Sequence, residues 1–476
     1  MKQIISIIAV FMLFGACSDI LEETPKSIAT ETFYNTDNEI ASAVNAAYFP
    51  IQSNSFNSFF TILNPLGEDV IGKGSLAPIH LYQGFSTTNI SNMSGVWAQL
   101  YLSIRNANMV IKNVPNSSQI SAVQKAQYIG EAKFIRALAY FDLVRLWGGV
   151  PLRTEETIDQ IDMPRSSLNE VYTLIVNDLK YAEENLPDKP RLLGTASKWV
   201  AKTLLSDVYL TLKDWGSASA KAEEVISSGK YSLVKVSTPD DFEKIFGADV
   251  INTTEEIFYF KYNRQYGWSM MGFFHKDGDG YKPYGANYYS FYSYTTSFFY
   301  KNWDDNDFRK QHNYYKWDIG LGDNTLLFKK YIDPKSTDGT SPNDWPIYRY
   351  ADVLLIYAEA AGNANNGPTA KAIECLNKVH RRAYGYDPEV LSPVDFQISN
   401  YNKDSFSDLV LKEKGYETQL ECKRWFDLIR TGKAARVIKE AEGIDIKTSM
   451  YLWPIPVTET NYNKAIDPVK DQNPGY

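Results

Sequence analysis

The chain has 476 residues, 44% apolar and 22% charged, with a formal charge of −8 at pH 7. This is a globular composition, long enough for a large core and one to three domains, and it excludes a disordered chain. The acidic balance, without clustered Lys and Arg, argues against nucleic acid as a partner, because phosphate neutralisation needs clustered cations. Three cysteines and four scattered histidines, His80, His275, His312 and His380, give no zinc-ligand spacing. Tyrosine is in excess, 33 against 24 phenylalanines. Its apolar face and polar tip suit wet binding surfaces, although part of the excess belongs to the core.

Residues 1–16 carry one basic residue, Lys2, and an apolar run from Ile4 to Phe14. The run is too short to span a bilayer and reads as the apolar region of a signal peptide. It ends Leu13-Phe14-Gly15-Ala16-Cys17, where small residues before a cysteine resemble a bacterial lipobox, with Phe14 at the usual leucine position. Cys17 is therefore expected to be lipidated and to become the mature N-terminus. The stretch Ser18 to Pro25 makes a short acidic tether, resembling the signal that sends some lipoproteins to the outer face of the outer membrane. No later apolar run is long and uncharged enough to span a membrane. The mature protein is expected to be held by lipid alone, since several acyl chains anchor stably where one does not.

The elements then follow in order. Residues 50–95, rich in Asn, Ser, Gly and Pro, read as loops. Gly130 to Leu152 read GEAKFIRALAYFDLVRLWGGVPL, a helix apolar on most of its circumference and so predicted to be buried. Its Glu131, Lys133, Arg136, Asp142 and Arg145 then need partners. Over 167–186 the apolar residues recur at the helical period, with a Ser167/Glu170 capping box at the start and Pro187 at the end. Helices over 195–212 and to about 229, joined at Asp214-Trp215-Gly216, resemble a tetratricopeptide hairpin. A second such pair is predicted at 347–363 and 368–383, and a long helix near 405–430. Residues 231–345 are long, polar and aromatic, and a loop region of that length is usually functional. Within it, Glu256 to Phe260 reads as a strand. Cys375 and Cys422 sit in helical patterns and are predicted to be buried free thiols.

Several segments resemble, in order, the motifs of the SusD/RagB family of outer-membrane nutrient-binding lipoproteins. They are Trp97, Tyr101, Ile104 and Asn106-Ala107-Asn108; Gly130 to Leu152; Pro346 with Tyr348 to Ala360; Tyr451-Leu452-Trp453-Pro454-Ile455-Pro456; and the terminal Gln472 to Tyr476. In the family's acidic helix pattern, Glu413, Glu417, Glu421, Arg424, Asp427, Leu428 and Arg430 match, but Lys414 stands where arginine is expected, Thr418 where leucine is and Cys422 where glycine is. Lysine cannot make arginine's two-pronged contact to a carboxylate. The resemblance implies an all-α, SusD-like fold in which tetratricopeptide-like helix pairs pack an irregular, loop-rich aromatic half. It implies a signal peptide over 1–16, a helical region over 17–230, a ligand-binding region over 231–345 and a C-terminal region over 346–476. It further implies a glycan-binding protein without catalytic activity or cofactor, facing the cell exterior and partnering a SusC-like, TonB-dependent transporter in nutrient uptake. A peptide ligand is the alternative within the family.

The ligand candidates lie in 262–303, where 16 of 42 residues are aromatic against 14% for the chain. A sugar's apolar C–H face stacks on a ring while its hydroxyls need polar partners, so aromatics beside Asn, Asp, Lys and Arg serve both. Trp268, Tyr266, Tyr281, Tyr284, Tyr288 and Tyr289, in glycine-rich context, read as binding rings. Phe291, Phe298, Phe299 and Tyr300 read as packing. The loop 64–82, with Asn64, Glu68, Asp69, Lys73, His80 and Tyr82, supplies a second candidate, and Asp69 joins the site on that ground. A glycosidase needs two carboxyl groups across a cleft, one kept protonated. Glu413, Glu417 and Glu421 instead read as ion-paired with Arg424 and nearby bases, which leaves a surface glycoside hydrolase as the weaker alternative. A tetratricopeptide scaffold that binds only proteins is a third reading. The acidic turns at Asp277-Gly278-Asp279-Gly280 and Asp304 to Asp307 lack EF-hand spacing, so no metal is assigned.

Overall fold

The computed structural model describes residues 33–53, 56–275, 289–336 and 340–476. The leader, Cys17 and the turn at Asp277–Gly280 lie outside these. The architecture is all-α with two small sheets, and consecutive helices pack side by side. Thr87–Asn113 packs on Ala122–Trp147, which packs on Leu168–Asn185, followed by Lys198–Thr211 and Trp215–Ser227. Trp215–Ser227 then packs directly on Tyr350–Ala364, which contacts Ala370–Ala383 and Lys403–Glu417. The helical stack therefore continues across the long insertion between Ser227 and Tyr350.

Local chemistry sets these boundaries. Capping boxes at Ser86/Asn89, Ser121/Gln124 and Ser167/Glu170 open three of the helices. Ala122–Trp147 ends at Gly148, with φ +75°. At Gly149 a Cβ would fall 2.3 Å from the carbonyl oxygen of Ser166, so only glycine fits the return of the chain. The helix is buried from Phe134 to Val144, and its charges are partnered. Arg136 donates to Asp178 at 2.7 Å and to Asn108 at 2.7 Å. Glu131 takes Arg191 at 2.9 Å, and Arg145, bound to Asp142, lies 3.8 Å and 3.9 Å from the ring centres of Phe141 and Phe426.

Strands β1 (Ile71–Gly72), β2 (Glu256–Phe260), β3 (Phe291–Tyr294), β4 (Tyr314–Lys316), β5 (Thr325–Phe328) and β6 (Trp345–Arg349) make two antiparallel sheets. One has the order β1-β3-β5-β4, with Ile71 opposite Tyr292, Ser293 opposite Leu326 and Tyr314 opposite Phe328. The other pairs β2 with β6, so the strand expected at Glu256–Phe260 is present.

Three expectations change. Residues 50–95 hold helical turns rather than loops alone, with Asn57–Leu63 and Ala77–His80 before the long helix begins at Thr87. The helix expected over 405–430 is two helices, Lys403–Glu417 and Arg424–Arg430. Between them Leu420 and Cys422 adopt left-handed φ of +63° and +61°, which no α-helix accommodates. The break lets buried cations take the freed carbonyls: Lys330 donates to Gln419 O at 2.8 Å and Arg349 to Glu417 O at 3.1 Å. Finally, Arg424 does not pair with the acidic row. It binds Glu68, while Glu413 takes Arg309, Glu417 takes Arg349, Arg382 and Arg309, and Glu421 takes Arg349 and Lys330. Lys414 makes a single-point contact to Asp427 at 2.8 Å. Cys375 and Cys422 are buried free thiols.

Candidate ligand surface

The β1–β3 pair brings together two stretches that lie about 220 residues apart in the chain. Lys73 N–H donates to Ser290 O at 2.7 Å, and its ammonium lies 3.9 Å from the centre of the Tyr289 ring. That is within cation–π range. Along β3 the side chains alternate. Phe291 and Ser293 point inward, while Tyr292 and Tyr294 are half-buried on the other face, their rings edge-to-face at 5.4 Å. Phe291 is anchored beneath by Phe60, Phe273 and Phe274 at 5.7–6.1 Å. Burial pushes the Tyr292 phenol up to about 12, so it stays a neutral donor and acceptor. Lys73 and Tyr289 thus meet at one end of β3, and Tyr292 and Tyr294 share its half-buried face. These groups can stack on a ring and hydrogen-bond its hydroxyls.

Tyr266 is 69% exposed, at the tip of a turn in which Asn263 Oδ1 accepts its N–H at 2.9 Å. Tyr289 is half-buried, with φ of +34°, unusual for a residue with a side chain. Its N–H donates to Gly272 O at 3.0 Å. Tyr281, Tyr284 and Tyr288 lie outside the described residues.

Two candidates are placed in the interior. Trp268 is 1% exposed, parallel to Tyr262 at 5.4 Å and to Trp345 at 5.5 Å, with Phe60 against its edge at 5.5 Å. No ring face is left on which a sugar could stack, so it is a core residue and not a platform. Asp69 is 2% exposed, and burial, with Glu68 beside it, pushes its carboxyl up to about 7. The other polar residues of 64–82 also turn inward. Asn64 donates to Phe60 O, Glu68 binds Arg424, and the Tyr82 hydroxyl donates to Leu66 O. Lys73 is the exception, its ammonium reaching the Tyr289 ring. Tyr292 and Tyr294 are missing from the six rings chosen from sequence. The period-two pattern Phe-Tyr-Ser-Tyr was the signal that marked them as one face of a strand.

The packing residues behave as read for Phe291 and Phe299, both buried, and differ for Phe298, which is 40% exposed. Asp304 to Asp307 is a turn closed on itself, with Asp304 Oδ1 accepting Asn306 N–H at 2.9 Å and Asp305 binding Lys310 at 2.6 Å.

Residues 254–476 match the sequence model of the SusD family, and residues 19–210 match the model described as starch-binding associating with outer membrane. SusD-like protein P25 of Formosa agariphila is 26% identical, the alignment covering 99% of each chain. Among solved structures, a SusD homolog from Bacteroides thetaiotaomicron superposes with a TM-score of 0.79 at 24% identity, over 96% of this chain and 100% of the other. Surface glycan-binding protein A from Bacteroides fluxus superposes with a TM-score of 0.76 at 22% identity, over 93% and 100%. Matches that run in order along the chain, on a helical body carrying the same motifs, establish that this protein belongs to the SusD/RagB family.

Proposed function

We propose that the protein binds glycans at the cell surface and passes them to a TonB-dependent outer-membrane transporter, held in the outer membrane by lipid on Cys17. The observation that carries the binding reading is the cluster at β3, where Lys73 meets the Tyr289 ring at one end of the strand and Tyr292 and Tyr294 share its half-buried face. Membership in a family with a sequence model described as associating with the outer membrane supports the location. The fold shared with a surface glycan-binding protein supports the ligand class. A role in binding rather than hydrolysis fits the acidic row. A glycosidase's general acid needs a raised pKa, whereas arginines hold Glu413, Glu417 and Glu421 well below the ordinary carboxylate range.

Calorimetric titration against a panel of polysaccharides tests the proposal. At least one should bind, and Tyr292→Ala with Tyr294→Ala should weaken it together. A peptide that binds where every glycan fails would move the ligand class to the family's alternative. Release of new reducing ends on incubation would overturn the non-catalytic reading.

A further inference from the structure

The helix Asn57–Leu63 turns Phe60 toward the aromatic cluster under β3 but sends Phe59 into a separate cavity of about 330 Å³. The cavity lies between the buried Ala122–Trp147 helix, the Lys198–Thr211 helix, β6 and the Arg424–Arg430 helix. Its volume suits a single ring-sized molecule. Phe56, Phe59, Phe260, Trp345 and Phe426 make an aromatic wall. Carboxylates line the cavity too, and one differs from the rest.

Asp142, Asp352, Glu421 and Asp427 line the cavity, and each has a cation within reach. Asp142 binds Arg145, Asp352 takes Lys423 at 2.7 Å, Glu421 takes Arg349 at 2.8 Å and Asp427 takes Lys414 at 2.8 Å. Asp207 has no cation within 4 Å among the described residues. Among the described residues it accepts only the Tyr348 hydroxyl, at 2.7 Å. One neutral hydrogen bond leaves most of a carboxylate's acceptor positions open. Nor can the cavity's own bases swing across without loss: Arg145 is fixed by Asp142 and by the rings of Phe141 and Phe426, Lys423 is shared between Asp352 and Glu421, Lys414 binds Asp427, and Arg430, which feels the charge of Asp207 from a distance, is held by Glu359 and Asp427.

We infer that this cavity is a second ligand site, distinct from the tyrosines at β3, and that it takes an organic ammonium ion with an apolar or aromatic body. The ammonium supplies the charge-assisted donors that Asp207 lacks, and the body and the cation's flank lie against the aromatic wall. A neutral molecule of the same shape forfeits the ionic contact. An anion meets the charge of Asp207, while the lining bases Arg145, Lys414, Lys423 and Arg430 are already paired with acids. A bare metal ion suits the site poorly, because among the described residues no three His, Cys, Asp or Glu side chains converge to hold one.

Titration of the purified full chain with benzylammonium, benzyl alcohol and benzoate tests the inference. Benzylammonium should bind about tenfold more tightly than benzyl alcohol, and benzoate should not bind. Asp207→Asn, which keeps the side-chain shape, should reduce the amine to the level of the alcohol and leave the alcohol unchanged, showing that the cavity is intact. Equal affinity for amine and alcohol, no binding of the amine, or an amine affinity indifferent to Asp207→Asn would each overturn it. Should Asp207→Asn fail to fold, the wild-type ratio of amine to alcohol decides: a ratio near one overturns the assignment, and about tenfold upholds it.

Discussion

Asp69 and Trp268 show how residue type misleads when the environment is unknown. Both suit a sugar site, yet both are interior. For Asp69 burial has an energetic consequence that can be measured. Its folded-state pKa of about 7 stands above the ordinary value of 3.8, so the folded state holds the proton more tightly than the unfolded chain. The sign follows: stability is lost as pH rises from about 4 to 7, on the order of a few kcal/mol. Asp69→Asn, which cannot ionise, is expected to raise the denaturant midpoint at pH 8 and to leave it nearly unchanged at pH 4. A gain of equal size at both pH values would contradict this account. Trp268→Ala should cost about 3–5 kcal/mol through the cavity it leaves. Tyr266→Ala, at an exposed turn, should change stability by no more than about 0.5 kcal/mol. Chemical denaturation of the two variants compares them directly.

At the scale of the element, the break after Glu417 matters most. A continuous helix would direct its acids along one face, as the i, i+4 spacing suggests. The left-handed residues Leu420 and Cys422 instead turn Glu421 toward Arg349 and Lys330, joining the C-terminal helices to β6 and to the segment after β5. Glu421→Gln leaves two buried cations short of a charge and should cost about 3–5 kcal/mol at pH 7. A loss near zero would show the network to be dispensable. The same ion pairs make the fold sensitive to acid. Glu413 is held down to about 2 by Arg309 and His380 despite its burial, and Glu417, Glu421 and Asp427 are lowered in the same way by neighbouring cations. Their folded pKa values lie below the unfolded ones, so their contribution is full above pH 4.5 and lost as pH falls toward 2. Burial lowers His312 to about 3 and His80 to about 4, which adds lability of the same sign as pH falls below 6.5. Between pH 6.5 and 4.5 this loss is opposed by the gain from Asp69, whose pKa is raised to about 7, so the denaturant midpoint is expected to decline steeply only below 4.5.

On the scale of the whole molecule, the helical stack is closed by contact between Trp215–Ser227 and Tyr350–Ala364. The insertion between them is thereby free to carry sheets and loops without interrupting the core. The insertion also adds to the core through Trp268 and Phe291 and to the ion-pair network through Arg309 and Lys330, while β3 carries the tyrosines of the proposed site. The proposed anchor acts on the molecule as a whole. Labelled palmitate should enter the wild-type protein in cells, and Cys17→Ser should remove both the label and the retention of the protein in the membrane fraction. Retention of label in that variant would place the anchor elsewhere.

By itself the sequence determined the helical periods, the caps, the buried Gly130–Leu152 helix and the family, because these depend on short-range spacing and on motifs that keep their order. It also located the aromatic stretch and the 64–82 segment as candidates. Only the tertiary structure decided that β1 and β3 join them at Lys73 and Tyr289, that Trp268 and Asp69 face inward, and which cation each buried acid meets. Those outcomes turn on contacts between residues far apart in the chain. Side-chain direction on a short strand, and the charge of a buried group, are set by the partner brought against it, and one-dimensional spacing carries no record of that partner.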